Sequence, residues 1–377
     1  MTRRGPRLAI AAAVAGLLLV AAAARGHIVY GRPTLLGLVG SADLVAYVRV
    51  VDPHGTVVVE ETGERRPVVR VELREVFKGE GEPGESLSFA SHGHGVAEYA
   101  KGEEALVFLA PVARSRELDA LQAADLRWVS SQEHDARYLL TPETRARLLA
   151  AVRGYVAAEG LSQPEARVKA LRGVTLDLLT SGDARLGASA VQDLVLAGPI
   201  PLVTAEDVPR LLVDVVSSQE ASIGVRIGLL AELQRRSLVE GAPLWLALLR
   251  NTAKPHLLQV VRAAGRHPSP EVDAALVGML AGGDDQVAEA AALALGDPAH
   301  ADAAEALAIA LDRPEPRVRM AAIRALGRIG TSEAREALET VAETHKDPAT
   351  RHRATAEIRT LARQTRDRSA VSGKTDQ

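Results

Sequence analysis

Two groups of residues in this chain have types and spacings that could do chemistry. The first is His92-Gly93-His94. On a strand, side chains two apart point to one side, so two imidazoles could share a metal ion. A site needs a third donor, and none stands at ligand spacing; with Gly93 and Gly95 beside them, the histidines read as a solvated turn, and no metal is expected. The second group is Arg235, Arg262, Arg266, Arg324 and Arg328. Gly265, Gly296 and Gly327 stand 31 residues apart in VRAAG, ALALG and IRALG. In that register Arg328 aligns with Arg266 and Arg235, Arg324 aligns with Arg262, and Asp297 interrupts the series. Stacked repeats place equivalent positions in a column, so these arginines would form a basic stripe suited to the carboxylates of a protein partner. Arginine near a helix carboxy terminus also complements the helix dipole and needs no ligand.

The absences are as informative. The chain has no Cys, which removes thiol nucleophiles, disulfides, Cys-liganded zinc and a lipidated amino-terminal Cys. It contains no G-x-x-x-x-G-K-[ST], G-x-S-x-G, H-E-x-x-H or G-x-G-x-x-G. No catalytic residue and no cofactor is therefore assigned, and the chain is not expected to be an enzyme. A net charge of −3 and few aromatic residues argue against nucleic acid as a partner.

The elements that position the arginines are helices. Within PEPRVRMAAIRALGRIGTSEAREALETV, Val318, Ala322, Ala325 and Ile329 fall on one helical face. Gly330 ends that helix, Thr331 or Ser332 can cap the next, and Ala334, Leu338 and Val341 form its apolar face. Neither face can be buried by the pair alone, so the pair must stack on copies of itself. Six hairpins are expected: 163–180 with 183–197, 205–217 with 219–236, 242–251 with 254–266, 271–282 with 284–295, 299–312 with 315–329, and 332–345 with 348–364. A helix over 142–158 joins them to what precedes, and the polar residues 366–377 read as a disordered tail.

Before residue 141 the period changes from 3.6 to two. Val-rich stretches at 43–52, 56–61, 68–77, 85–91, 104–112 and 136–141 read as strands. A short helix is expected at 115–124, packed on the sheet edge with Trp128. All three Phe residues, at 77, 89 and 108, lie here, and beyond Tyr155 the only aromatic residue is Trp245. The two halves thus have differently built cores, which sets a boundary at 141–163. Five or six strands with no strong helix predict a small closed or partly open barrel over 27–141. Ahead of it, Arg3, Arg4 and Arg7, the apolar stretch 8–24 and Ala22-Ala23-Ala24 read as an export signal over 1–26, with cleavage expected before Arg25 or His27. The protein is then periplasmic or extracellular; uncleaved, residues 8–24 would anchor it to a membrane.

The repeat resembles the HEAT family, in particular its short bacterial branch also found in bilin lyases. Val318-Arg319, Ala321-Ala322 and Ala325-Leu326-Gly327 carry the likeness. One unit upstream Ala288 replaces the Arg, and further back Val225-Arg226 fits while Gln234 replaces the Gly. The resemblance covers residues 164–365 and implies an α-solenoid over 142–365 whose second helices line a concave, partner-binding side. In the amino-terminal half, Ala42 to Val48, VFKGE (76–80) and YAKGEEALVFL (99–109) resemble netrin-like, tissue-inhibitor-of-metalloproteinase-like OB-fold domains. The Cys by which such inhibitors reach a metal does not exist here. Together these imply an exported, non-enzymatic interaction or scaffold protein. The alternatives are a bilin-lyase-like or other enzyme accessory, and a ligand-binding or inhibitor barrel with the solenoid as spacer.

Overall fold

The structure, a computed structural model, describes residues 33–59, 63–90, 99–114, 121, 125–130, 138–198 and 200–372. The expected export signal, His92, His94 and nearly all of the expected helix at 115–124 lie outside the described residues. The chain divides into two compact units, 1–215 and 216–377.

The first unit holds a sheet of strands β1 (Leu44–Val59), β2 (Glu64–Lys78), β3 (Ser86–Ala90), β4 (Glu104–Pro111), β5 (Trp128–Ser130) and β6 (Tyr138–Leu139). The order is β1-β2-β3-β5-β4-β6, and β1 pairs with β4 as well as β2. β3 and β5 run parallel; the other pairs are antiparallel. Alternation puts Leu44, Ala46, Val48 and Val50 of β1 into one core with Val69, Val71, Leu73, Phe89, Val107 and Leu109, and Trp128 packs against it. Ala105 to Leu109 of β4 are all buried, so this strand is covered on both faces, as its unbroken apolar run demands. The Lys-Gly phrase has a steric reason. Gly79 has φ +88, and a Cβ there would stand 2.4 Å from the Asp43 carbonyl oxygen.

Helices of this unit are α1 (Leu35–Ser41), α2 (Pro142–Glu159), α3 (Pro164–Leu179), α4 (Ala184–Ala197) and the short α5 (Val208–Leu211), which passes into a π turn at Leu212–Val216. α1 was not expected: seven residues carry too little periodicity, and its docking supplies the stability that its length cannot. It packs on α2, α4 and β4. α2 is tied to the sheet by Arg153, whose guanidinium meets Glu75 of β2 at 2.9 and 2.7 Å, and by Arg145 on Glu104 of β4. The change of period near 141 is therefore not where compactness divides, because α2–α4 belong with the sheet.

The second unit holds α6 (Ile223–Arg235), α7 (Gly241–Asn251), α8 (Lys254–Ala264), α9 (Pro270–Gly282), α10 (Asp285–Ala294), α11 (Ala304–Ile309), α12 (Pro316–Ile329), α13 (Ser332–Thr344) and α14 (Pro348–Ser372). α7, α9, α11 and α13 pack in succession as one layer, and α6, α8, α10, α12 and α14 as the other. The repeated glycines explain the second layer. A Cβ on Gly265 would meet Ala294 at 2.6 Å, one on Gly296 would meet Ala325 at 2.9 Å, and one on Gly327 would meet Glu357 at 2.4 Å. Each glycine lets its helix touch the next second helix. Where Gln234 replaces the glycine, its amide lies against Gly241 and accepts from Trp245 Nε1 at 2.8 Å, so the next helix supplies the missing space.

Arginine after valine is also structural. Arg319, 7% exposed, donates to the carbonyls of Arg313 and Pro314, to Thr350 Oγ1 and to Asp347 Oδ2 at 2.7–3.0 Å, stitching two repeats together. Arg226 donates to the Val216 carbonyl at 2.9 Å.

Two stretches differ from expectation. Residues 299–312 are not one helix: 3-10 turns at Pro298–Ala303 and Ala310–Asp312 flank α11. Buried His300 causes the break, with Nδ1 2.8 Å from Asp273 Oδ1 and Nε2 2.8 Å from the Gly265 carbonyl. The expected disordered tail is instead helical to Ser372, since no Gly or Pro interrupts 349–372.

Candidate functional site

The basic stripe lies in the second unit, and the structure sorts its five members. Arg262 on α8, Arg266 one turn past it, and Arg324 and Arg328 on α12 are exposed, with no ion pair among the described residues. Arg235 is exposed but engaged: its Nε and Nη2 meet Glu232 at 2.7 and 2.6 Å on its own helix. Glu232 is buried and also takes Arg236 at 2.7 Å; burial opposes its ionisation, but the two guanidinium groups hold its carboxyl below the usual range. Arg235 is therefore committed to its own helix.

α10 separates the other four into two pairs. Half-buried Leu293 on α10 and exposed Asp297 just past it stand at the equivalent positions. Neighbouring helices pack at about 8–10 Å, so the α8 and α12 pairs stand roughly 16–20 Å apart, beyond the screening length in physiological salt. The stripe works as two patches rather than one field. Arg266 is felt locally, since burial and then its charge hold the His267 imidazole below its ordinary value. His267 stacks on Trp245 at 4.6 Å, so it is a neutral packing group and not a second cation.

Two more members of the α12 patch were missed. Arg359 and Arg363 on α14 are exposed without an ion pair among the described residues, and α14 packs directly on α12. Gly330, which caps α12, lies 3.7 Å, measured from an added Cβ, from Leu361 between them. The signal was present: Arg359 follows Arg328 by the same 31 residues, but the last repeat looked degenerate around it. Arg324, Arg328, Arg359 and Arg363 thus stand on two adjacent helices of the second-helix layer, exposed and without an ion pair among the described residues.

The first-helix layer carries the opposite sign. Between α11 and α13 runs a cleft of about 1210 Å³ lined by Asp302, Glu305, Asp312, Glu333 and Glu336 together with Lys346. The two layers therefore differ in the sign of the charge they expose at these places. Among the described residues no group of three His, Asp or Glu could hold a metal, and no helix is long and apolar enough to cross a membrane.

Comparison with known proteins adds to this geometry. A solved structure of human deoxyhypusine hydroxylase in complex with glycerol is similar at 20% identity, covering 59% of this chain and 92% of that one, with a TM-score of 0.30. No curated protein matches the chain. The family model for HEAT repeats matches residues 278–359, so the α12 patch, through Arg359, sits in a stretch of HEAT repeats.

Proposed function

We propose that this is an exported, non-enzymatic scaffold protein that uses its HEAT-repeat layers to hold a protein partner through an acidic surface. The carrying observation is the set of four exposed arginines on α12 and α14, without a carboxylate partner among the described residues and backed by packed helices. Guanidinium groups held on such a frame bind carboxylates bidentately at little ordering cost. The amino-terminal sheet is read as an OB-like barrel, because β1 pairs with β2 at one side and β4 at the other, closing the ring β1-β2-β3-β5-β4. Export is read from Arg3, Arg4, Arg7 and the apolar residues 8–24.

Capture of a partner from envelope extract by the full chain, against the variant with Arg324, Arg328, Arg359 and Arg363 all changed to Gln, tests the binding face. Exposed pairs contribute roughly 0.2–1 kcal/mol each, so loss of all four should lower affinity by about fourfold to several hundredfold, with a weaker salt dependence. Equal capture by both proteins, or capture indifferent to salt, excludes this face. Amino-terminal sequencing from an exporting host should begin at Arg25 or His27; intact Met1 on soluble cytoplasmic protein excludes export with cleavage.

A further inference from the structure

A buried polar cluster joins α1 to the helices beneath it. Asp193 on α4 is 3% exposed, and its carboxylate takes hydroxyl hydrogen bonds from Tyr155 of α2, at 3.4 Å, and from Thr34 ahead of α1. Thr34 also caps α1, accepting from Gly37 N at 2.9 Å, and the Leu35 amide donates to Ser189 Oγ of α4 at 2.8 Å. Thr175 of α3, whose hydroxyl donates to the Leu171 carbonyl at 2.9 Å, stands near the Tyr155 hydroxyl, and Tyr138 of β6 is also felt there. Among the described residues no cation pairs with Asp193. The charged group on its own helix, Arg185, lies over the Tyr138 ring at 3.9 Å, two turns away along α4. At the other end of α1, Lys78 Nζ donates to the Val39 carbonyl at 2.8 Å and pairs with Glu159 at 2.8 Å.

We propose that α1 is a proton-controlled latch, docked on α2 and α4 while Asp193 is protonated and loosened when that carboxyl ionises. Thr34, Leu35, Leu38 and Val39 exclude water from the site when α1 is down. An ionised carboxylate there has two hydroxyl donors and no counter-charge, which offsets only part of the lost hydration. Lifting α1 readmits water and relieves the cost. Burial correspondingly pushes the Asp193 carboxyl up to about 7, with the Thr34 and Tyr155 hydroxyls acting against it. The docked form therefore binds the proton more tightly than the open form, whose carboxyl titrates near its ordinary value, so docking weakens as pH rises between these limits.

Hydrogen exchange on the full chain tests this, with rates corrected for the intrinsic effect of pH. The reporters are the amides of Leu35, Leu38 and Ala42, which bond Ser189 Oγ, the Thr34 carbonyl and the Leu38 carbonyl. Between pH 5 and pH 7 their opening constant should rise about fiftyfold, the steepness falling off as pH nears 7, while the amides of residues 44–50 in β1 stay unchanged. Asp193→Asn should abolish the dependence. Ser189→Ala, which removes a docking bond but not the titrating group, should raise opening at both pH values and keep the dependence. A parent protein whose α1 opens equally at both pH values would overturn the latch. So would dependence surviving in Asp193→Asn, or equal change in β1; if Asp193→Asn does not fold, loss of the dependence in Ser189→Ala overturns it instead.

Discussion

Replacing Gly265 with Ala should drive α8 and α10 apart. The backbone itself accepts the change, because Gly265 sits at φ −63, ψ −7. The obstacle is Ala294, whose Cβ would stand 2.6 Å and carbonyl oxygen 2.8 Å from the new methyl. Carbon contacts settle near 3.5–4.0 Å, so the helices must separate by about 1 Å, and a gap of that size forfeits a quarter to a half of each contact along the seam. Overpacking of this kind costs about 2–3 kcal/mol. Against it, Ala returns up to about 1 kcal/mol by reducing the freedom of the unfolded chain. The net loss is about 1–2 kcal/mol, which for a unit of this size lowers its melting temperature by about 2–8 °C. Gly278→Ala isolates the two effects, since Gly278 is exposed in α9 and an added Cβ meets nothing within 4 Å. That change should stabilise by about 0.5–1 kcal/mol through helix propensity alone. Thermal melts of the full chain by far-ultraviolet circular dichroism read both. If Gly265→Ala proves as stable as Gly278→Ala, the glycine register does not mark close helix approach, and the account of the second layer fails.

Asp193 makes a second measurable demand on the first unit. Its carboxyl is raised, so the stability it permits is complete below about pH 4 and is lost as pH climbs to about 7; the full loss is about 4 kcal/mol, and Asp193→Asn should flatten urea midpoints between pH 5 and pH 8. Arg319→Ala strands two carbonyls and Asp347, and should cost about 3 kcal/mol by urea unfolding, whereas exposed Arg324→Ala should stay within about 0.5 kcal/mol. A chain cut after residue 215 should yield a soluble helical fragment 216–377. A fragment ending at 141 should aggregate on size exclusion, because it strips α2–α4 from the sheet and from α1; a monomeric, β-rich 33–141 would return the division to the change of period.

The amino-acid sequence by itself determined the repeat and its register. Gly265, Gly296 and Gly327 announced where successive helices touch, and Val318, Ala322, Ala325 and Ile329 announced which face is buried. These were legible because a periodic pattern and a missing Cβ are local facts with one dominant physical meaning. The alternation in β1 and β2 was legible for the same reason. What only the tertiary structure decided concerns partners distant along the chain. α1 exists because α2 and α4 cover it, and the helix expected over 299–312 breaks because Asp273 and the Gly265 carbonyl capture His300. Arg235 and Arg328 occupy equivalent places in the sequence register, yet Glu232 claims the first and nothing described claims the second. Whether a charge is spent at home or left for a partner depends on which carboxylate folding brings within about 3 Å, and a periodic pattern does not contain that distance.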